Sequence, residues 1–275
     1  MNSSPSRALL FLTAFLMPYP IVFAQKGNTP HSDARSSFVF RKIENNAFTA
    51  GEELNYDVNF GFITAGKARM AIPRYEEMNG RKSYYIEFTV RSSGFFDNFY
   101  NVRDRYESYM DVEGLFPWKF IQTIREGSYK HDYSAQFDHA AGKAYTATGE
   151  HPIEPYVQDV LSAFYYMRTY NYTGFRPGQK IILKNFAKDT TYELTIKYLG
   201  RQTIEVEAGT FNTILLQPIM KEGGLFKSSG RIIVWVTDDE KRMPVQVDAQ
   251  IPIGSITSEL TSYKGLPSPV KARVK

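Results

Sequence analysis

The side chains able to do chemistry do not form any motif with an established mechanism. Histidines stand at 31, 131, 139 and 151, whereas a metal site wants two ligands at short spacing on one element and a third converging on them. No two of the four meet that requirement, so no metal is expected. Asp238, Asp239 and Glu240 adjoin one another, but a calcium loop needs spaced oxygen ligands, a turn glycine and a bidentate acid. The run reads instead as a solvated hairpin turn. A Gly-x-Ser-x-Gly elbow, a Walker loop and a dinucleotide fingerprint are all missing, and no cofactor is expected. Glu53 with Asp57, or Asp104 with Glu107, are the carboxylate pairs that glycosidic hydrolysis could use. Acids on the wet face of a strand are common, however, and no geometry singles these out, so the expectation is a protein without catalytic residues.

The informative excess is aromatic, with 19 Tyr, 20 Phe and 2 Trp. Two clusters fall outside strand alternation. Gly94-Phe95-Phe96-Asp97-Asn98-Phe99-Tyr100 reads as a bend or single helical turn with too many apolar groups for a plain loop. Gly223 to Gly230 reads as a hairpin tip with Leu225 and Phe226 at its middle. Apolar groups on a loop either fold back on the core or meet a partner. Leu225, Phe226, Phe95, Phe96 and Phe99 are therefore the candidate ligand-binding residues.

The elements that must position these groups are almost all strands. Leu54, Tyr56, Val58 and Phe60 alternate with Asn55, Asp57 and Asn59, the period of a half-buried strand. Ala68, Met70 and Ile72 repeat the pattern, followed by Asn79-Gly80 and then Tyr84, Ile86, Phe88 and Val90. Asn-Gly suits the two positive-φ positions of a tight hairpin turn. Further strands are predicted at about 100–112, 117–126, 128–138, 142–147, 179–186, 190–199, 201–207, 211–220, 230–237, 243–251 and 255–264. One segment departs from this pattern: Val157, Val160, Leu161, Phe164 and Met167 recur at three- and four-residue steps, predicting one amphipathic helix at about 155–170 with Pro155 in its first turn. So many sequential strands must curve into a barrel, a half-barrel or two stacked sheets, with the helix on the concave face or at the mouth. The fold class is mainly β, a large curved antiparallel sheet with one helix.

Residues 1–24 have the parts of a secretory signal: Arg7, an apolar run from Ala8 to Phe23 broken by Pro18 and Pro20, and the ending Val22-Phe23-Ala24. The run is shorter than the roughly 20 residues a membrane span requires. A disordered lead-in is expected over 25–37, a single β-rich domain over 38–265 and a loose tail over 266–275. The signal segment takes only Arg7 from the formal charge of +4. The remaining basic residues alternate with acids, as in Arg103-Asp104-Arg105-Tyr106-Glu107, so nucleic acid is not an expected partner. The chain has no cysteine; stability must come from the core without disulfides, and there is no site for lipid attachment at the signal.

Several stretches resemble a family of bacterial exported proteins known as domain of unknown function 3108. They are Gly51 to Val58 with Ala65-Gly66-Lys67-Ala68, Val102-Arg103-Asp104, Asp159 to Arg168, Val234 to Asp239 with Arg242 to Val245, Gly254-Ser255 and Glu259-Leu260. The resemblance implies a secreted β-rich protein and carries no catalytic residue with it. The expected function is a non-enzymatic periplasmic or secreted protein that binds a hydrophobic or amphipathic envelope molecule in a β-rich cavity. The alternatives are a structural or protein-interaction component of the envelope and, after it, an unrecognised carbohydrate or cell-wall hydrolase. Intact mass spectrometry of the exported protein is expected to start at Gln25 with no lipid adduct; retention of Met1 in a membrane fraction would refute the cleaved signal.

Overall fold

The computed structural model describes residues 38–98, 100–220, 231–251 and 254–274. The signal segment, the lead-in and the Leu225-Phe226 tip lie outside these residues. The first half of the chain forms β1 (Glu53–Phe60), β2 (Ile63–Met78), β3 (Arg81–Ser92), a single helical turn α1 (Gly94–Asp97), β4 (Arg103–Asp111), β5 (Pro117–Glu126), β6 (Tyr129–Asp138), β7 (Lys143–Thr146) and β8 (Gly149–Pro152). After the helix α2 (Val160–Met167) come β9 (Lys180–Ala187), β10 (Thr190–Val206), β11 (Gly209–Met220), β12 (Ile232–Thr237), β13 (Pro244–Ile251) and β14 (Gly254–Lys264).

All 14 strands belong to one antiparallel sheet in the order β8-β7-β6-β5-β4-β3-β2-β1-β14-β13-β12-β11-β10-β9. Two meanders are joined where β14 pairs with β1, and the two edge strands, β8 and β9, are consecutive in the chain. No ladder joins β8 to β9. The sheet curls until side chains bridge the gap: the rings of Phe137 and Phe186 meet at 5.7 Å, and Asp189 accepts hydrogen bonds from Thr148 Oγ1 at 2.7 Å and Tyr133 OH at 3.2 Å. A parallel bridge from Gln158 to Asn185 covers part of the β9 edge, which limits the unpaired backbone there.

The Asn79-Gly80 hairpin forms as the sequence predicts, with both residues at positive φ. The segments expected as two strands at 190–199 and 201–207 are one strand, β10, with a bulge at Gly200, and β8 has no counterpart among the predicted strands.

The helix is shorter than predicted. Gln158 exchanges backbone hydrogen bonds with β9, donating to Lys184 O at 2.8 Å and accepting from Phe186 N at 2.7 Å. That holds residues 155–158 outside the helix, and buried Val157 belongs to this extended segment. Asp159 starts the helix instead: its carboxylate accepts from Leu161 N and Ser162 N at 2.7 and 2.8 Å, while Ser162 Oγ accepts from Asp159 N at 2.9 Å, a reciprocal capping box. Burial is not confined to one stripe. Leu161 and Tyr165 pack into the core of the first meander, and Ala163 and Met167 into that of β9–β12. Phe164, predicted to be core, is only half-buried. The helix is a plug between two halves of a curved sheet, so several of its sides are covered.

The tail is not loose. Asn212 N donates to Ala272 O at 2.9 Å, Val274 N to Thr210 O at 2.9 Å, and Ala272 N to Asp239 Oδ2 at 3.0 Å. The same bonds show that the Asp238–Lys241 turn is built into the fold rather than merely solvated: Lys241 is buried, and its Nζ donates to Asn46 O at 2.7 Å.

The end of the sheet that holds α2 is fastened by one ion pair. Arg168, the C-cap of α2, makes two bonds to Glu52, at 2.6 and 2.7 Å, and also donates to the carbonyls of Lys241 and Ala47. Both side chains are 1% exposed or less. Burial alone would lower the Arg168 pKa, but the charge and hydrogen bonds of Glu52 outweigh it and hold it above its ordinary value. Removing one member of such a pair strands a buried charge, at a cost of about 3–5 kcal/mol. Urea unfolding of Arg168→Met is expected to show a loss of that order, and the double variant Glu52→Leu/Arg168→Met a smaller one. A single-variant loss below about 1 kcal/mol would contradict the assignment.

Candidate functional site

At the opposite end of the first meander a continuous rung crosses six strands. Val58 pairs with Gly66 and Gly66 with Ser92; Ser92 N donates to Val102 O; Val102 bridges to Glu126, which pairs with Tyr129. One step deeper, Asp104 lies beside Val90 on β3, and Tyr106 lies between Phe88 and Gln122. Strand alternation directs Asp104 and Tyr106 of β4, and Gln122 and Glu126 of β5, toward the same core face.

The β1–β4 part of this rung is apolar. Val58, Phe60, Ala65, Val90, Val102 and Ile256 line a cleft of about 20 Å³, room for about one water. A second cleft, between Phe164, Met167, Leu216 and Val236 beside the helix, has no room for a water, and neither cleft approaches the several hundred Å³ typical of a small-molecule site. The rim beside the cleft is pinned by Asp97 of α1, which accepts from Arg103 at 3.0 and 2.7 Å and from Ser92 Oγ.

The β4–β6 part is polar and poorly satisfied. Asp104, Gln122 and Glu126 are 2%, 0% and 1% exposed. Asp104 Oδ1 accepts from Arg125 N at 2.8 Å, whereas Asp104 Oδ2 has no donor and its carboxyl hydrogen-bonds to that of Glu126. Two carboxyls in hydrogen-bond contact share a proton. Burial, ahead of the neighbouring Glu126, pushes the Asp104 pKa up to about 8. Tyr129 OH lacks a partner too, and the Tyr106 OH and the Gln122 amide have only each other. Tyr100 covers the pair, with its OH 3.3 Å from Glu126 Oε2 and its ring so close to Gly127 that a Cβ there would lie 3.1 Å away. An unsatisfied buried polar atom costs about 1–3 kcal/mol, so several gathered in one place mark a site rather than a packing accident.

The residues singled out in the sequence meet this site only in part. Phe96 is half-buried on α1 at the rim. The side chains of Phe95 and Phe99, like Leu225 and Phe226, lie outside the described residues. Asp104 pairs with Glu126 and not with Glu107, which faces outward among Tyr85 and Arg105; Glu53 and Asp57 likewise face outward, against Arg69 and Lys67. The sequence signal for the true pair was available: Asp104 occupies the apolar register of Tyr106 and Met110, and Glu126 that of Phe120 and Ile124. Of the histidines, buried His139 is fully used structurally. Its Nε2 donates to Pro117 O at 2.7 Å and its Nδ1 accepts from Tyr156 N at 3.0 Å; burial lowers its pKa to about 4. Among the described residues no group of three or more His, Asp or Glu could hold a metal, and no helix is long and apolar enough to cross a membrane.

Residues 55–261 match the family described as protein of unknown function, DUF3108. The chain belongs to that family. None of the curated proteins matches it. Among solved structures it is similar to a β-barrel-like protein of the domain of unknown function DUF1849 from Brucella abortus, at 10% identity and a TM-score of 0.50, covering 78% of this chain and 96% of that one. Also similar are a provisionally named lipoprotein from Parabacteroides distasonis (8% identity, TM-score 0.36, 82% and 100% covered) and a provisionally named exported protein with a YmcC-like fold from Bacteroides fragilis (10%, 0.30, 82% and 100%). At these identities the likeness concerns the fold alone, and the β-barrel-like fold agrees with the curled sheet.

The raised pKa of Asp104 has a consequence for stability. Between the unfolded value near 4 and the folded value of about 8, the folded state holds a proton that the unfolded state has lost, so this group's contribution falls as pH rises. Asp104→Asn imitates the protonated acid. Its stability relative to the native protein is expected to increase from pH 5 to pH 8 in parallel urea titrations; a difference independent of pH would refute the shared proton.

Proposed function

We propose that this protein is a non-enzymatic, exported component of the cell envelope that binds an amphipathic molecule at the β1–β6 rim. The carrying observation is the adjacency of an apolar cleft to buried polar groups, among them Asp104 Oδ2, which has no partner: Val90 and Val102 of the cleft are the direct strand neighbours of Asp104 and Glu126. A ligand with an apolar and a polar part matches that pairing, because apolar contact gains from leaving water while the polar groups gain the partners they lack. The small enclosed volume supports engagement at the rim rather than engulfment. The signal-like N-terminus supports export. The carboxyl pair supports binding over hydrolysis, since glycosidic chemistry needs carboxyls about 5–9.5 Å apart with the sugar between them, and these two hydrogen-bond to each other.

A second reading, a scaffold recruiting another envelope protein, draws support from the small size of the clefts at the rim and beside the helix. Native mass spectrometry of the protein purified without detergent exchange separates the two. An adduct with an apolar chain is expected, lost in Phe60→Ser while the melting temperature stays nearly unchanged, because Phe60 borders the cleft and is only half-buried. Absence of any adduct, with stoichiometric recovery of a second envelope protein, would favour the scaffold.

A further inference from the structure

On the outward face of the sheet, one residue in from the rim rung, every strand from β2 to β6 carries a basic residue. Lys67 of β2 pairs with Arg91 of β3, and Arg91 with Arg103 of β4. The Arg105–Thr123 pair and the Val102–Glu126 bridge set Arg103 opposite Arg125 of β5, which pairs with Lys130 of β6. Like charges directly opposite one another destabilise a sheet, yet here they follow in an unbroken row. Asp57, Asp97 and Asp132 pair with Lys67, Arg103 and Arg125; Arg91 and Lys130 are exposed and have no ion-pair partner among the described residues. Deeper on the same face the charges balance, because Arg69 and Arg105 stand beside Thr89 and Thr123 and share the acids Glu53, Glu87 and Glu107 of the row beyond. The turn that opens β2 at this rim carries a second anomaly. Phe62 is 98% exposed and Ile63 48%, whereas the turn at the other end of β2 is the polar Asn79-Gly80. A ring left in water contributes nothing to the core.

We propose that this rim docks on the surface of a lipid bilayer carrying anionic headgroups, with Phe62 and Ile63 entering the acyl boundary and the basic row behind them meeting the phosphates. The order of the two features is the order of the two layers: an apolar tip first, cations behind it. Ile63 and Lys67 are four residues apart in β2, roughly 13 Å at about 3.3 Å per residue. Entry of the tip by about 5–10 Å brings the row within about 8 Å of the headgroups, the screening length at physiological ionic strength, and the long Lys and Arg side chains reach across the remainder. A second copy of the same rim would set like charge against like, which disfavours self-association as the use of this surface. The proposal goes beyond the ligand of the cleft and stands on other observations, since Phe62, Ile63, Lys67 and Lys130 do not line that cleft.

Flotation of the exported protein with vesicles of phosphatidylcholine alone, or of phosphatidylcholine mixed with phosphatidylglycerol, tests this. Partition onto the phosphatidylglycerol vesicles is expected, and it should fall with added salt. It should be at least about tenfold weaker in Phe62→Ser and about thirtyfold weaker in Lys67→Gln/Lys130→Gln. All three side chains are exposed, so the melting temperatures of both variants should match that of the native protein. In Phe62→Trp, lipids brominated on their acyl chains should quench a fluorescence that the buried Trp118 and Trp235 do not supply. Partition that neither variant weakens overturns the proposal and assigns the anchoring to the apolar run from Ala8 to Phe23. Loss in the lysine variant alone, without quenching, reduces the contact to adsorption and overturns insertion of the tip. A dimer in sedimentation velocity that Phe62→Ser dissolves, with no partition on either vesicle, assigns the tip to self-association instead. The two readings of the rim fail separately: no partition beside a bound apolar-chain adduct overturns the docking and leaves the cleft standing, and partition without any adduct does the reverse.

Discussion

A guanidinium can be held in a protein interior only if its charge is neutralised and its donors are used, and Arg168 meets both conditions at the point where three otherwise separate segments converge. Glu52 immediately precedes β1, Ala47 belongs to the segment before it, and Lys241 lies in the β12–β13 turn. Phe48 and Tyr165 flank the guanidinium, with ring centroids 5.2 and 5.0 Å from it. The pair therefore sets where α2 ends and how the helix sits within the curve of the sheet. A sheet whose edge strands share no ladder needs such a fixed plug, because the seam between β8 and β9 is held only by side chains and the Gln158 bridge.

The topology explains why the two ends of the first meander differ. Its lower end receives the helix, the residues before β1 and the tail, and polar groups there find partners: Arg168 with Glu52, Asp159 with Ser108 and the helix backbone, His139 with Pro117 and Tyr156. Among the described residues the opposite rim receives only α1 and short turns. Asp104, Gln122 and Tyr129 end there with atoms unsatisfied, and their combined desolvation is a standing cost to the fold. Unpaired buried atoms also occur beside the helix, at Gln158 Oε1, Tyr165 OH and Arg242 Nε, but on adjoining strands of the rim they are gathered, the local conflict expected where a fold gives up stability for a site.

Much of the architecture was legible in the sequence because it follows from local rules. Alternation at Leu54, Tyr56 and Val58 needs only a strand with one wet face; Asn79-Gly80 needs only two positive-φ positions; the missing motifs needed no structure to recognise. What the sequence alone could not determine were matters of nonlocal contact. Whether 155–158 is helical depends on the β9 edge claiming Gln158, and whether the tail is loose depends on β11 offering it partners. Phe164 fits the helical stripe as well as Leu161 does, yet its burial is decided by which side of the plug meets the sheet. Asp104 and Glu126 are separated by 21 intervening residues, and although each stands in the apolar register of its own strand, nothing local pairs them. Only the β4–β5 register brings them to one proton, because register turns two periodic patterns into a particular pair of neighbours.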